Sequence, residues 1–208
     1  MTAAKRPSSA KFFFLKQFLR DPKSVGSVIP TSRAAIRGLL HPIDWTQVRC
    51  VVEYGPGTGV FTRELLARLG KDAVLIAIDT SPVFIAHLRR AIHDKRLICA
   101  HGSATDVEAI LARLGFAQAD YVISGLPFST LPHGVADAIM DATARAVRPG
   151  GAFLIYQYSR FVLPMLRQRF EQVQRGKIWR CIPPAHLFWA WQGKADVNRA
   201  AAESSIAA

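Results

Sequence analysis

The chain alternates between two hydrophobic rhythms. Compact apolar runs recur at CVVEYG (50–55), AVLIAID (73–79), RLICAHG (96–102), DYVISG (120–125) and AFLIYQY (152–158). Each has the length of a strand buried on both faces, where no polar alternation is required. The segments between and after them predict helices over 59–69, 82–93, about 105–114, 132–147 and 162–174. Ser81-Pro82 opens the second of these helices, and Pro149-Gly150-Gly151 closes the fourth. Strands alternating with helices mean an α/β fold, a mainly parallel sheet covered on both faces. Two further strands, KIWRCIP (177–183) and HLFWAWQ (186–192), have no helix between them and predict a terminal antiparallel hairpin, for seven strands in all.

The ends differ from this middle. Residues 1–10 read as frayed, and AKFFFLKQFLR (10–20) reads as a short helix stopped by Asp21-Pro22. Phe12, Leu15 and Leu19 share one face of it, with Phe14 and Phe18 beside them; Lys16, Gln17 and Arg20 lie opposite, and Phe13 breaks the pattern. Such a basic amphipathic helix suits a membrane interface, although an apolar stripe packed on its own domain would look the same. The expected organisation is a basic amphipathic segment over 1–40, one domain over 41–195 and a disordered tail over 196–208. The run Phe12-Phe13-Phe14-Leu15 is cut by Lys16, and no apolar run approaches the ~18 residues of a spanning helix. Cys50, Cys99 and Cys181 are scattered and odd in number, which points to buried thiols and a cytoplasmic protein rather than to disulfides or a metal site.

Charge sharpens the division. The net +12 splits into +7 over residues 1–40, zero over 41–159, +6 over 160–194 and −1 in the tail. The excess sits on the two flanks, which predicts a polyanionic partner, nucleic acid or an anionic membrane.

The candidate chemistry begins where the first strand runs into Glu53-Tyr54-Gly55-Pro56-Gly57-Thr58-Gly59. The glycines let backbone approach a ligand and turn tightly into the next helix. Asp79 ends the second strand, placed for ribose hydroxyls, with Thr80 after it. A dinucleotide fingerprint would need a third glycine at Thr62, so NAD is disfavoured. The E-x-G-x-G-x-G pattern resembles motif I of the Rossmann-like methyltransferases, which implies S-adenosylmethionine as cofactor and no metal. Gly102-Ser103-Ala104 resembles the Gly-Asp-Ala that this family places beside the adenine, with Ser103 in place of the acid. The resemblance implies cofactor contacts from Glu53, Gly55, Gly57, Thr58, Gly59, Asp79, Thr80, Gly102, Ser103 and Ala104, and from Ser124, Gly125 and Leu126 at the end of the fourth strand.

The acceptor loop is SGLPF (124–128), with Gly125 where RNA adenine dimethyltransferases carry a carboxamide. A loop without that amide suits an aliphatic amine. The chain resembles the bacterial phospholipid N-methyltransferases, which convert phosphatidylethanolamine to phosphatidylcholine, over about residues 12–192. The resemblance rests on Phe18-Leu19 with Pro22–Ser32, on EYGPGTGVFT and SGLPF, on Tyr156–Ser159 and on Cys181–Ala185. It implies a monomeric enzyme, peripheral on the inner face of the cell membrane, that methylates a phospholipid amine and binds no nucleic acid. Tyr156, Tyr158, Ser124 and His133 are the candidate proton acceptors or orienters, with Asp137 less well placed. The two tyrosines share a strand face and would line a pocket with Phe128, suited to a cationic product. Substrate contacts are expected from Pro127, Phe128, Ser27, Thr31 and Arg180. Membrane contacts are expected from Lys11, Phe12, Phe13, Phe14, Lys16, Phe18, Leu19 and Arg20, and a second basic area around Arg160, Arg167, Arg169, Arg175, Lys177 and Arg180 would meet lipid phosphates. RNA adenine N6-methylation, another amino lipid and a lipid-binding module without catalysis are the alternatives.

Overall fold

The computed structural model describes residues 33–178 and 184–193. The expected contacts of Lys11 to Arg20, Ser27, Thr31 and Arg180 therefore lie outside the described residues, as does Cys181. In chain order the elements are α1 (Arg33–Leu40), β1 (Cys50–Tyr54), α2 (Val60–Leu66), β2 (Val74–Asp79), α3 (Pro82–Ala91), β3 (Leu97–His101), α4 (Val107–Arg113), β4 (Ala119–Ser124), α5 (Val135–Ala146), β5 (Val147–Gln157), α6 (Val162–Arg169), β6 (Gln172–Ile178) and β7 (Ala185–Trp191). The sheet order is β3-β2-β1-β4-β5-β7-β6. β1 to β5 are parallel, and β7 runs antiparallel between β5 and β6. This is the Rossmann-like methyltransferase fold expected above.

Each central strand is apolar because both of its faces are covered. One face buries Val52, Ile76, Val122, Phe153 and Phe188 against α4, α5 and α6. The other buries Val51, Leu75, Ile123, Leu154 and Trp189 against α1 and α2. Helix α3 is started by Ser81, whose hydroxyl accepts from Phe84 N, with Pro82 in the first turn. At the amino end of the sheet, buried Asp120 accepts from Arg49 N at 2.7 Å and Cys50 N at 2.8 Å and pairs with Arg148. That carboxylate ties the start of β1 to β4, beside the place where the β4–β5 register shifts between Ala119 and Tyr121. Cys50 and Cys99 are free thiols, and burial pushes the Cys50 thiol up to about 12.

Three expectations change. Residues 33–40 do not belong with the basic segment: Ala35, Ile36, Leu39 and Leu40 are buried in the core, and Trp189 Nε1 donates to Leu39 O at 2.8 Å. The helix placed over 162–174 ends at Arg169, where Phe170 turns into the core. The sixth strand, placed at 177–183, occupies 172–178. It is an edge strand whose sequence, QVQRGKI, is mostly polar, so hydrophobicity does not mark it.

Candidate active site

The carboxyl ends of β1, β2, β4 and β5 meet above the sheet, where open α/β folds bind ligands. β1 turns into α2 through Gly55, Gly57 and Gly59, whose φ values of +65°, +54° and +83° fall in the left-handed region. A Cβ on Gly55 would stand 2.8 Å from Leu126 Cδ2, so this glycine admits the acceptor loop against the turn. A Cβ on Gly59 would stand 2.8 Å from Leu88 Cδ2, so that one admits α3. A Cβ on Gly57 would meet nothing within 4 Å, and Thr58 beside it is exposed. Among the described residues, then, nothing fills the space at Gly57.

Two carboxylates stand around this turn. Glu53 is buried beneath it and accepts a 2.7 Å hydrogen bond from Thr62 Oγ1, which ties β1 to α2. Burial pushes its carboxyl up to about 7; the Thr62 hydrogen bond opposes this and the Asp79 charge adds to it. Asp79 accepts from Ser81 N at 2.8 Å; burial raises its pKa also, and the backbone N–H groups of Ser81 and Gly57 oppose this. Gly102 N donates to Asp79 O at 3.1 Å, setting the turn after β3 beside the turn after β2. There Ser103 caps the short turn Ala104–Asp106: its hydroxyl accepts from Thr105 N, while the Asp106 carboxylate accepts from Ser103 N at 3.2 Å. Ser103 is engaged in capping, and the acid of this corner is Asp106, three residues later, which sequence reading missed. His101 also joins it, with Nε2 3.2 Å from the exposed Thr80's carbonyl. Open space over Gly57, a carboxylate at the end of β2 and a backbone corner at Gly102–Ala104 fit a nucleoside carrying a charged sulfonium chain. S-adenosylmethionine therefore belongs over the glycine turn.

The acceptor loop is held by its own backbone. Ser124 is buried, and its hydroxyl accepts from Leu126 N at 3.1 Å, so it shapes the loop rather than facing a substrate. The Leu126 carbonyl accepts from Phe128 N at 2.9 Å and from Gln157 Nε2 at 2.8 Å. The Pro127 carbonyl accepts from Thr130 N and Thr130 Oγ1, both at 2.9 Å. The Gly125 carbonyl takes no hydrogen bond from the described residues, and a Cβ on Gly125 would meet nothing within 4 Å. Gln157 carried no signal in the sequence, because its partner lies 31 residues away on another element.

Tyr156, near the end of β5, and Tyr158, just past it, do lie together, with hydroxyls 2.9 Å apart and ring centroids 5.6 Å apart, edge to face. Phe61, in the first turn of α2, adds a third ring at 6.2 Å from Tyr156. The expected partnership with Phe128 does not form. Phe128 is buried on the opposite face of the sheet against Phe153, because the loop folds its ring inward. His133 is exposed in the turn before α5, and Asp137 is paired with Arg169 at 2.9 Å, so neither joins the tyrosines. Among the described residues the exposed large apolar side chains are Val60, Val83 and Phe161. They begin α2, lie in the first turn of α3 and immediately precede α6, and so share the carboxyl end of the sheet with the site.

Fold and site together define an S-adenosylmethionine-dependent methyltransferase. Residues 51–151 match the family model described as a methyltransferase domain. Over 184 residues the chain is 29% identical to an ornithine lipid N-methyltransferase from Singulisphaera acidiphila, covering 86% of this chain and 94% of that one. It is also 29% identical over 170 residues to ribosomal RNA small subunit methyltransferase H from Halorhodospira halophila, covering 74% of this chain but only 52% of that one. Among solved structures, the N-methyltransferase NodS from Bradyrhizobium japonicum with S-adenosyl-L-homocysteine superposes with a TM-score of 0.67 at 16% identity, covering 88% of this chain and 98% of that one. At that identity the likeness speaks for the fold. No helix among the described residues is long and apolar enough to cross a membrane.

Proposed function

We propose that the enzyme methylates the primary amine of a membrane amino lipid, with phosphatidylethanolamine as acceptor and phosphatidylcholine as the end of the series. The observation that carries this is the acceptor loop. It offers no side-chain amide or carboxylate to a ring amine, only a backbone carbonyl at Gly125 without a donor among the described residues and, across the site, three aromatic rings. The lipid N-methyltransferase that matches nearly end to end supports the same reading.

When bound, the cofactor supplies an electrophilic methyl group on a sulfonium. The chain must then present a neutral amine in line with it. A lipid ammonium has a pKa near ~10, so at pH 7 deprotonation costs about 4 kcal/mol that the site must offset. In this reading the Gly125 carbonyl accepts an N–H of the amine and fixes its lone pair. The Tyr156–Tyr158 pair, in which one hydroxyl donates to the other, offers a phenol oxygen that accepts a hydrogen bond from the neutral amine and orients it, the ammonium proton having left to water. The rings of Phe61, Tyr156 and Tyr158 stabilise the ammonium that forms with each methylation. Val60, Val83 and Phe161 lie where a lipid surface would meet the site.

The test is methyl transfer from labelled S-adenosylmethionine to mixed phosphatidylethanolamine and phosphatidylglycerol vesicles, with methyl groups counted by mass spectrometry. Mono-, di- or trimethylated lipid is expected. No lipid product with intact cofactor binding would overturn the reading. The relative's name favours one second reading, an amino-acid-containing lipid as acceptor, and adding such a lipid to the same assay decides between them.

A further inference from the structure

Outside the cofactor and amine sites, the carboxyl end of the sheet holds a concentration of positive charge that the reaction as described does not use. β5, β7 and β6 lie side by side there, and Gln157 is directly opposite His186, which is directly opposite Lys177. Directly paired residues point to the same face, and Arg175, two residues before Lys177, shares it. Arg160 follows the end of β5 and is exposed. Burial lowers the pKa of the His186 imidazole, and the charges of Lys177, Arg160 and Arg175, which all bear on the ring, lower it further. The guanidiniums of Arg145, Arg148 and Arg169 each meet a carboxylate. Those of Arg160 and Arg175 meet none among the described residues. Gathering like charges around a half-buried imidazole is unfavourable unless an anion joins them.

The row also has a direction. Gln157 holds the Leu126 carbonyl of the acceptor loop, so it joins the loop to the basic group. Strands lie ~4.8 Å apart, which sets Lys177 about 10 Å across the sheet from Gln157, within reach of one zwitterionic head group and a lysine side chain. We propose that Arg160, Arg175, Lys177 and His186 form an oxyanion subsite that takes the phosphate or carboxylate of the same acceptor molecule whose amine is methylated. The subsite selects zwitterionic acceptors and aims the amine at the Gly125 carbonyl. It rests on the amino-lipid reading above for the identity of the acceptor, but not for the anion.

The experiment uses the full chain in neutral detergent micelles. Initial rates are measured on an amino phospholipid and on a long-chain alkylamine, which has the amine and no oxyanion. For the wild type, kcat/KM favours the phospholipid; in an Arg175→Gln, Lys177→Gln double variant that preference falls roughly tenfold or more, through KM. Arg113→Gln, exposed at the far end of α4, leaves the preference as it is. In parallel, the His186 imidazole is titrated by NMR with inorganic phosphate alone and with a soluble short-chain amino phospholipid. Both raise its pKa in the wild type and neither does in the double variant; a shift with the lipid only assigns the site to the head group as a whole. An unchanged preference, an equal loss on both acceptors, or no shift with either ligand overturns the subsite. A wild type inert on both acceptors whose His186 still responds to phosphate sinks the amino-lipid reading and leaves the subsite standing.

Discussion

Gly55 and Gly57 stand two residues apart, and a methyl group on each would do different damage. Both have positive φ, so an alanine at either costs roughly 1 kcal/mol in backbone strain. At Gly57 the methyl points into space that no described residue fills, so Gly57→Ala is expected to weaken S-adenosylmethionine binding roughly tenfold while Tm moves only slightly. At Gly55 it strikes Leu126, so Gly55→Ala displaces the acceptor loop and lowers both stability and kcat. Calorimetric titration and thermal melts on the two variants separate the cases. Glu53 makes a different kind of prediction. Its folded pKa of about 7 lies above the ordinary carboxyl value of 4.5, so the folded chain binds the proton more tightly than the unfolded chain. The stability this contributes is complete below pH 4.5 and is lost as pH rises to 7, by about 3 kcal/mol for a shift of that size. Glu53→Gln should flatten this part of the stability–pH curve, measured by urea unfolding; an unchanged slope would sink the assignment. The glycine motif was legible because each glycine's role is local. Gln157 and Phe128 were not, because one depends on a partner across the sheet and the other on which way a proline-bearing loop turns its ring.

At the scale of elements, strands buried on both faces announced themselves, and β1 to β4 fall within a residue or two of their apolar runs. The edge did not. β6 borrows its burial from β7: Gly176 lies under Trp189, where an added Cβ would stand 2.9 Å from the indole ring. The apolar run at Ile178-Trp179 drew the expected strand forward, whereas the pairing that fixes its place belongs to HLFWAW on the neighbouring strand. Helix α1 was missed for the related reason that an eight-residue stripe beside a basic segment reads as part of that segment. Its anchor is the Trp189 indole, which donates to Leu39 O deep in the core. Trp189→Phe keeps most of the apolar surface and removes the donor, leaving a buried carbonyl unsatisfied. The expected cost is about 1–3 kcal/mol in urea unfolding, with cofactor affinity unchanged.

At the scale of the whole molecule, the split of charge acquires a direction. The neutral stretch 41–159 builds most of the sheet and the cofactor turn, while Arg160, Arg175 and Lys177 of the basic flank lie toward the end of the sheet where Phe161 is exposed. An anionic bilayer approached by such a face gains up to ~1 kcal/mol from each basic residue near the surface, and loses it as salt rises. The N-terminal segment before residue 33, with its phenylalanines and six cations, offers a second means of attachment. Phosphatidylglycerol-containing vesicles should therefore bind the chain at ~0.05 M salt and release most of it by ~0.3 M, read by co-flotation. Removing residues 1–20 should weaken binding strongly, whereas Phe161→Ser should weaken it modestly but slow methylation of lipid more than methylation of a soluble alkylamine. If binding ignores salt and survives the truncation, docking through charge is wrong. If Phe161→Ser slows both acceptors alike, the exposed ring serves the fold of the site and not its approach to lipid.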